Sequence, residues 1–254
     1  MEWDLFIEIL EELGEREYVG WLALHNYNEP LLNPRLLTEV QEIRSRLPSV
    51  SVSIFTNGDY LHRATLHELG ESGANHVRVT LYPGKGSLVT LGRSDGTRLS
   101  RWLAAKQLHT GIVWTMVPVR QGLAAKAQVE SLSIEVIDPD LTTYNYRGGA
   151  ARTIQGRPRQ EPCYMTSHSA AIDFSGHMKM CCNVYPHDES HLPYLVGDLR
   201  VQSFWSIWEG ERMSAFRASH RRSDWELSPI CRMCTHQLPP DQVQRYEASP
   251  LPGP

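Results

Sequence analysis

All five cysteines of this 254-residue chain fall between Cys163 and Cys234, and none occurs before them. A secreted domain stapled by disulfides spreads its bridges along a short chain. An odd number of thiols gathered in one stretch reads instead as metal ligation or redox chemistry. Two parts are therefore expected, one free of cysteine and one holding all of it.

The first part alternates between two periodicities. Apolar runs with β-branched content occur at 18–24, 50–55, 76–81, 112–117 and 132–137, with helix-like segments between them. Trp3–Leu13 sets Phe6, Leu10 and Leu13 on one face and ends at Gly14. Pro34–Arg46 follows Asn33, a good N-cap, with proline at the first helical position. Leu61–Leu69 ends at Gly70, and Leu99–Leu108 ends near Gly111. The runs recur at roughly the ~30-residue interval of a βαβ unit. The expected class is α/β, a parallel sheet covered by helices. The run at 18–24 has no strand before it to pair with, so it is expected to form an apolar edge unless strand order buries it or a preceding strand has been lost.

Residues 1–140 make up this α/β domain. Residues 141–162 contain Tyr144-Asn-Tyr-Arg-Gly-Gly149 and Arg157-Pro-Arg159 and read as a linker. Residues 163–238 form the cysteine module, and the five prolines of 239–254 predict a disordered tail. Lys and Arg number 25 against 29 Asp and Glu, a net charge of −4, which leaves no footprint for nucleic acid or an anionic membrane. No apolar stretch approaches the roughly 20 residues of a membrane span. The acidic start Met-Glu-Trp-Asp-Leu is unlike a secretory signal, so a cytoplasmic location is expected.

Cys231-Arg-Met-Cys234 puts two thiolates three residues apart, able to meet one metal centre from a single turn. Between Cys163 and Cys181, residues 170–180 read as a β-hairpin turning at Ser175-Gly176, which brings the other two thiols together. Four thiolates from two loops suit tetrahedral zinc or a cubane iron–sulfur cluster equally well. Cys182, adjacent to a ligand, reads as a small buried residue. His168, His177, His187, His191 and His236 flank the module, and four cysteines already suffice without them. His220-Arg-Arg222 reads as a short solvent-facing basic run, while Trp205 and Trp208 are expected to pack the module's helix.

In order, Cys163, Gly176-x4-Cys181-Cys182, Gly197-Asp-Leu199, Ile207-Trp208, Phe216-Arg217 and Cys231-x2-Cys234 resemble the SPASM/twitch module of radical S-adenosylmethionine (SAM) enzymes. No cysteine follows Cys234, so the resemblance is to the shorter, one-cluster twitch form. It implies an auxiliary [4Fe–4S] cluster on Cys163, Cys181, Cys231 and Cys234. The segment from Leu24 to Pro34 is similar to the family's Gly-Gly-Glu-Pro stretch, with Tyr27 and Asn28 in place of the glycines. The segment Val52–Gly58 looks like the Ser-Thr-Asn-Gly of the next strand end, and Tyr144–Gly149 resembles an Asn-Arg-Gly-Gly run. By that likeness Asn28, Glu29, Pro30, Thr56 and Asn57 would contact SAM, and Thr80 would sit near its ribose.

The resemblance implies a partial (β/α)6 TIM-like barrel lacking its first strand, followed by the SPASM/twitch module. Family members also carry a Cys-x3-Cys-x2-Cys loop after the first barrel strand. Trp3–Leu13 resembles the helix just after that loop, so strand and loop are expected to be missing together, by truncation or because the true start lies upstream. Without the loop this polypeptide is not expected to generate the 5′-deoxyadenosyl radical. The intact form is expected to modify a peptide or small molecule by radical chemistry, using electrons from a donor protein. The alternative is a non-catalytic iron–sulfur or zinc protein that serves a partner or recognises a peptide. No catalytic acid or base can be named from the residues.

Overall fold

The computed structural model describes residues 1–82, 96–119, 122–139, 147–149, 156–238 and 240–248. The chain divides into two compact units, residues 13–143 and residues 1–12 together with 144–254. Helix α1 (Trp3–Glu15) runs through Gly14, two residues past the end at Leu13 that the glycine predicts.

The unit of residues 13–143 is built on a six-stranded sheet. Its elements are β1 (Trp21–Ala23), α2 (Leu36–Arg46), β2 (Ser51–Thr56), α3 (Arg63–Ser72), β3 (His76–Thr80) and α4 (Thr97–Ala105), then β4 (Thr115–Val119), β5 (Gly122–Val129) and β6 (Leu132–Pro139). Strand order is β1-β2-β3-β6-β5-β4. The pairs from β1 through β2 and β3 to β6 are parallel, whereas β6–β5 and β5–β4 are antiparallel. The expected all-parallel sheet is thus corrected to a mixed one. The cause is β5, whose Gly-Leu-Ala-Ala-Lys-Ala-Gln-Val sequence has little intrinsic strand preference. Ala124 and Ala125 are nonetheless fully buried, so packing rather than propensity makes this segment a strand. The run at 112–117 becomes β4, shifted to 115–119 and turned into a hairpin with β5.

One face of the sheet is apolar. Val52, Ile54, Val77, Val79, Ile134 and Val136 are fully buried, as are Val40 and Ile43 of α2 and Leu69 of α3, while Leu66 of α3 is nearly so. Each such side chain contributes about 1.5–3 kcal/mol on leaving water. The other face carries charge across three strands: Arg78, Glu135 and Lys126 stand in one row of the register, with Phe55 next to Arg78 at its end. Arg78 and Lys126 both pair with Glu135, at 3.3 and 3.1 Å. Strand β1 is an edge, hydrogen-bonded to β2 alone in the strand order. Only Trp21–Ala23 of the run at 18–24 is strand, because the Tyr18 hydroxyl bonds the main chain of Trp21 and closes a turn just before it.

Helix ends differ from expectation by identifiable turns. Asn33 caps a turn ahead of α2, accepting from Arg35 N (3.0 Å), so the helix proper begins at Leu36. Gly70 lies inside α3, which instead closes at Gly73, a left-handed residue with φ +101°. Helix α4 stops at Ala105, a turn earlier than Leu108.

The second unit carries the short helix α5 (Met165–His168) and strands β7 (Ala171–Ile172), β8 (His177–Lys179) and β9 (Leu195–Asp198). It continues with α6 (Phe204–Trp208), α7 (Glu211–Arg221) and α8 (Pro240–Ala248). Its sheet, β7-β8-β9, is antiparallel throughout. The β7–β8 hairpin turns at Ser175-Gly176 as the spacing predicts: Asp173 Oδ1 accepts from Ser175 N and His177 N, and Gly176 takes φ +90°. Trp205 Nε1 donates to Glu12 O (2.9 Å), tying Glu12 of α1 to this unit, and the Arg217 guanidinium lies 4.1 Å over the Trp208 ring.

Proline content predicts disorder over 239–254, yet 240–248 is helical. Tyr246 docks it: its ring stacks on Tyr164, its hydroxyl lies 2.9 Å from His168 Nδ1, and its carbonyl accepts from Arg221 Nη2. Residues 140–146 and 150–155 of the expected linker, and 249–254 of the tail, lie outside the described residues. The linker's last stretch is pinned to the cysteine module, Arg157 N to Met233 O and Arg159 N to Arg232 O (2.7 Å). Among the described residues no helix is long and apolar enough to cross a membrane.

Candidate functional site

Two groups of side chains carry chemistry, one in each unit. In the first unit, the loop after β1 and the loop after β2 meet at a carboxylate. Glu29 Oε1 accepts from the Thr56 hydroxyl (2.5 Å) and from Leu31 N (3.1 Å), and Oε2 accepts from Asn57 N (2.8 Å). Glu29 is thereby the N-cap of the 3-10 turn Pro30–Leu32, with buried Pro30 at its first position. Thr56 Oγ1 in turn accepts from Gly58 N (3.0 Å), and Asn57 Oδ1 accepts from Asp59 N (2.8 Å). Gly58 has φ +77°, and a Cβ there would meet Trp102 at 2.6 Å and Val79 at 2.7 Å.

Of the residues expected around SAM, the structure joins Glu29, Thr56 and Asn57 directly. Asn28 bonds within its own loop, accepting from Asn26 N (2.6 Å). Thr80 ends β3 opposite Ile137, and among the described residues no hydrogen bond joins it to the Glu29 group. Tyr27 has φ +61°, the left-handed conformation that glycine adopts freely and that costs other residues roughly 1–2 kcal/mol. A glycine-like backbone is therefore kept here without the glycine.

In the second unit, Cys163, Cys181, Cys231 and Cys234 line one cavity together with Arg159, Asn183 and other residues. Cys163 N donates to His220 O (3.0 Å), fixing the first thiol to the end of α7. Cys181 follows β8, where Met180 N donates to Tyr194 O (2.8 Å). Cys231 sits in the 3-10 turn Pro229–Met233, its N–H on Ser228 O, and Cys234 closes that turn through a bond to Cys231 O. Asn183 Nδ2 points at Cys234 Sγ from 3.8 Å. Cys182 is half-buried and is not part of the cavity lining.

Burial sets the electrostatics of these thiols. Burial pushes the Cys231 thiol up to about 12, with Cys234 and Cys163 adding to the rise against a bond from Ser228. Cys181 is raised by burial and then by Cys182, Cys231 and Cys234. Four thiols gathered in one cavity are the donor set that an iron–sulfur core takes as thiolates. Among the described residues, no group of three or more His, Cys, Asp or Glu side chains is placed to hold a single metal ion.

Three further residues here escape a reading of the sequence. His220 is buried, with Nε2 2.8 Å from Ser228 Oγ, and burial and Arg159 push its pKa down to about 4. The basic-run reading of His220-Arg-Arg222 is corrected accordingly: its first member is a neutral core residue because α7 turns it inward. Lys179 is fully buried, donates to Val184 O (3.0 Å) and is lowered by burial to about 8. Arg159 bonds main-chain carbonyls on both sides of the cavity. No local motif announces any of the three, since each is defined by contacts far along the chain.

Residues 163–235 match the SPASM family, an iron–sulfur cluster-binding domain. Along nearly all of its length the chain is also similar to proteins that use SAM. It is 22% identical over 233 residues to the S-adenosyl-L-methionine-dependent 2-deoxy-scyllo-inosamine dehydrogenase of Niallia circulans, covering 91% of this chain and 79% of that protein. A shorter match, 31% over 94 residues, reaches the tungsten-containing aldehyde ferredoxin oxidoreductase cofactor-modifying protein of Pyrococcus furiosus, covering 36% of this chain and 26% of that one. The fold is similar to the crystal structure of BtrN in complex with AdoMet and 2-DOIA, with TM-score 0.67 and 21% identity over 93% of this chain and 80% of that one. BtrN in an open conformation gives TM-score 0.59 and 18% identity over the same shares.

Proposed function

We propose that the protein holds one [4Fe–4S] cluster on Cys163, Cys181, Cys231 and Cys234 and binds SAM beside Glu29, Thr56 and Asn57. In a form that also carries the three-cysteine loop, it is a radical SAM enzyme that oxidises a small hydroxylated molecule, served by an electron-donor protein. The single cavity lined by all four thiols carries this reading. Once bound there, the cluster supplies a one-electron acceptor. The chain's own part is to bury the thiols and exclude water from them.

At the other site, three donors take three of the roughly four lone-pair directions of the Glu29 carboxylate, fixing it while leaving one for the ammonium of SAM. The polar row Arg78–Glu135–Lys126 suits a hydroxylated substrate, and the likeness to a SAM-dependent dehydrogenase favours small-molecule oxidation over peptide modification. We read the six-stranded sheet as the remainder of a (β/α)6 barrel, with β1 as the edge where a first strand would pair.

Calorimetric titration of the iron-loaded chain with SAM tests the second site. Binding that Glu29→Gln weakens about tenfold or more supports it, and absence of binding to the wild-type chain would remove SAM from the account. A second reading, a non-catalytic cluster protein, uses the same four-thiol cavity without cleavage of SAM. Incubating an iron-loaded form that also carries the three-cysteine loop with SAM and dithionite separates the two. Release of 5′-deoxyadenosine sinks the second reading, and its lack from a loaded form that binds SAM upholds it.

A further inference from the structure

Arg159 lies four residues before Cys163, outside the stretch that matches the cluster-binding domain, yet it forms part of the cavity wall. Its residue is 8% exposed, and each guanidinium nitrogen is committed to a main-chain carbonyl. Nε donates to Glu161 O (3.0 Å) and Nη2 to Pro162 O (2.9 Å), on the segment leading into Cys163. Nη1 donates to His236 O (2.5 Å) and, more weakly, to Cys234 O (3.5 Å), on the segment leaving the other pair of thiols. The Trp225 ring covers the guanidinium at 5.7 Å, and Trp225 Nε1 donates to Arg159 O (3.3 Å). A planar fork with several fixed donors can hold two segments in register, which a single ammonium does less well.

A cubane on four thiolates is anionic, and more so after reduction. A cation held in its wall stabilises the reduced form more than the oxidised one.

We propose that Arg159 is a positioning residue of the cluster site, one that holds the Cys163 segment against the Cys231–Cys234 turn and sets a permanent positive charge beside the cluster, raising its reduction potential. The proposal rests on the cluster reading given above. Its test uses the full chain, loaded anaerobically with iron and sulfide, as wild type, Arg159→Lys and Arg159→Gln. Iron per chain is measured first, then the midpoint potential by reductive titration followed by electron paramagnetic resonance.

The expected result is a full iron complement in all three. At a fixed poise the reduced-to-oxidised ratio falls about tenfold in Arg159→Gln, about 59 mV for one electron, while Arg159→Lys stays within about twofold of wild type. An unmoved Arg159→Gln overturns the proposal, as does an equal shift in both variants, which would make charge irrelevant. If Arg159→Gln takes up no iron, Arg159→Lys decides. Full iron at the wild-type potential upholds the proposal, and a lost cluster or shifted potential overturns it. An iron-free wild-type chain overturns the cluster reading and this inference together, whereas unmoved variants of an iron-loaded chain overturn this inference alone.

Discussion

Removing the Glu29 carboxylate should destabilise the first unit even with no ligand present. Glu29→Ala strips an acceptor from Leu31 N, Asn57 N and the Thr56 hydroxyl. The hydroxyl can rotate to another partner, so the two main-chain donors set the cost. A hydrogen bond to a charged acceptor contributes about 1.5–3 kcal/mol, and loss of an N-cap about 0.5–2 kcal/mol. The site is only half-buried, so about 2–4 kcal/mol is expected in total. For a chain of this size that lowers Tm by about 5–15 °C. Glu29→Gln keeps one acceptor oxygen but turns an amide N–H₂ toward one of the donors, for a loss of about 1–2 kcal/mol. Urea unfolding of the metal-free chain, followed by circular dichroism at unchanged m, measures both. An alanine variant within about 0.5 kcal/mol of wild type, or a glutamine variant as unstable as the alanine one, would refute the reasoning.

Gly58→Ala should destabilise by about 2–4 kcal/mol, adding a left-handed backbone to a collision with Trp102 and Val79; thermal melts check it, and an unchanged Tm would count against the packing described. Cys181→Ala should lose the iron of the loaded chain while Cys182→Ala keeps it, read by iron analysis; equal loss in both would put Cys182 among the ligands. Burial holds His76 below its ordinary 6.5, opposed by Glu135 and reinforced by Arg78 and Lys126. Its folded value is the lower one, so the stability tied to the neutral ring is complete above 6.5 and is lost as pH falls toward the folded value. Wild type should therefore lose more stability than His76→Asn between about pH 7.5 and about pH 5.5, and parallel pH profiles would show that His76 does not carry the effect.

The cysteine site was legible because its signals are local. Cys231-x2-Cys234 and the hairpin at Ser175-Gly176 are short-range patterns whose geometry follows from the chain itself. The strand-end groups were legible for a related reason, since loops after parallel strands converge at one end of a sheet. The mixed sheet was not, because β5 is alanine-rich and is a strand only through its neighbours. The helix at 240–248 was hidden by proline content and exists through one docked tyrosine. Arg159 and His220 were invisible for the same reason: burial and long-range carbonyl contacts leave no mark on adjacent residues.

The most direct test of the central claim is iron and sulfide analysis of the anaerobically loaded chain, with Mössbauer spectra of the same sample. The account predicts about four irons and about four sulfides per chain in a single cubane, with Cys163→Ala, Cys181→Ala, Cys231→Ala and Cys234→Ala each losing it. One zinc per chain with no sulfide, or a cluster that survives all four substitutions, would contradict it.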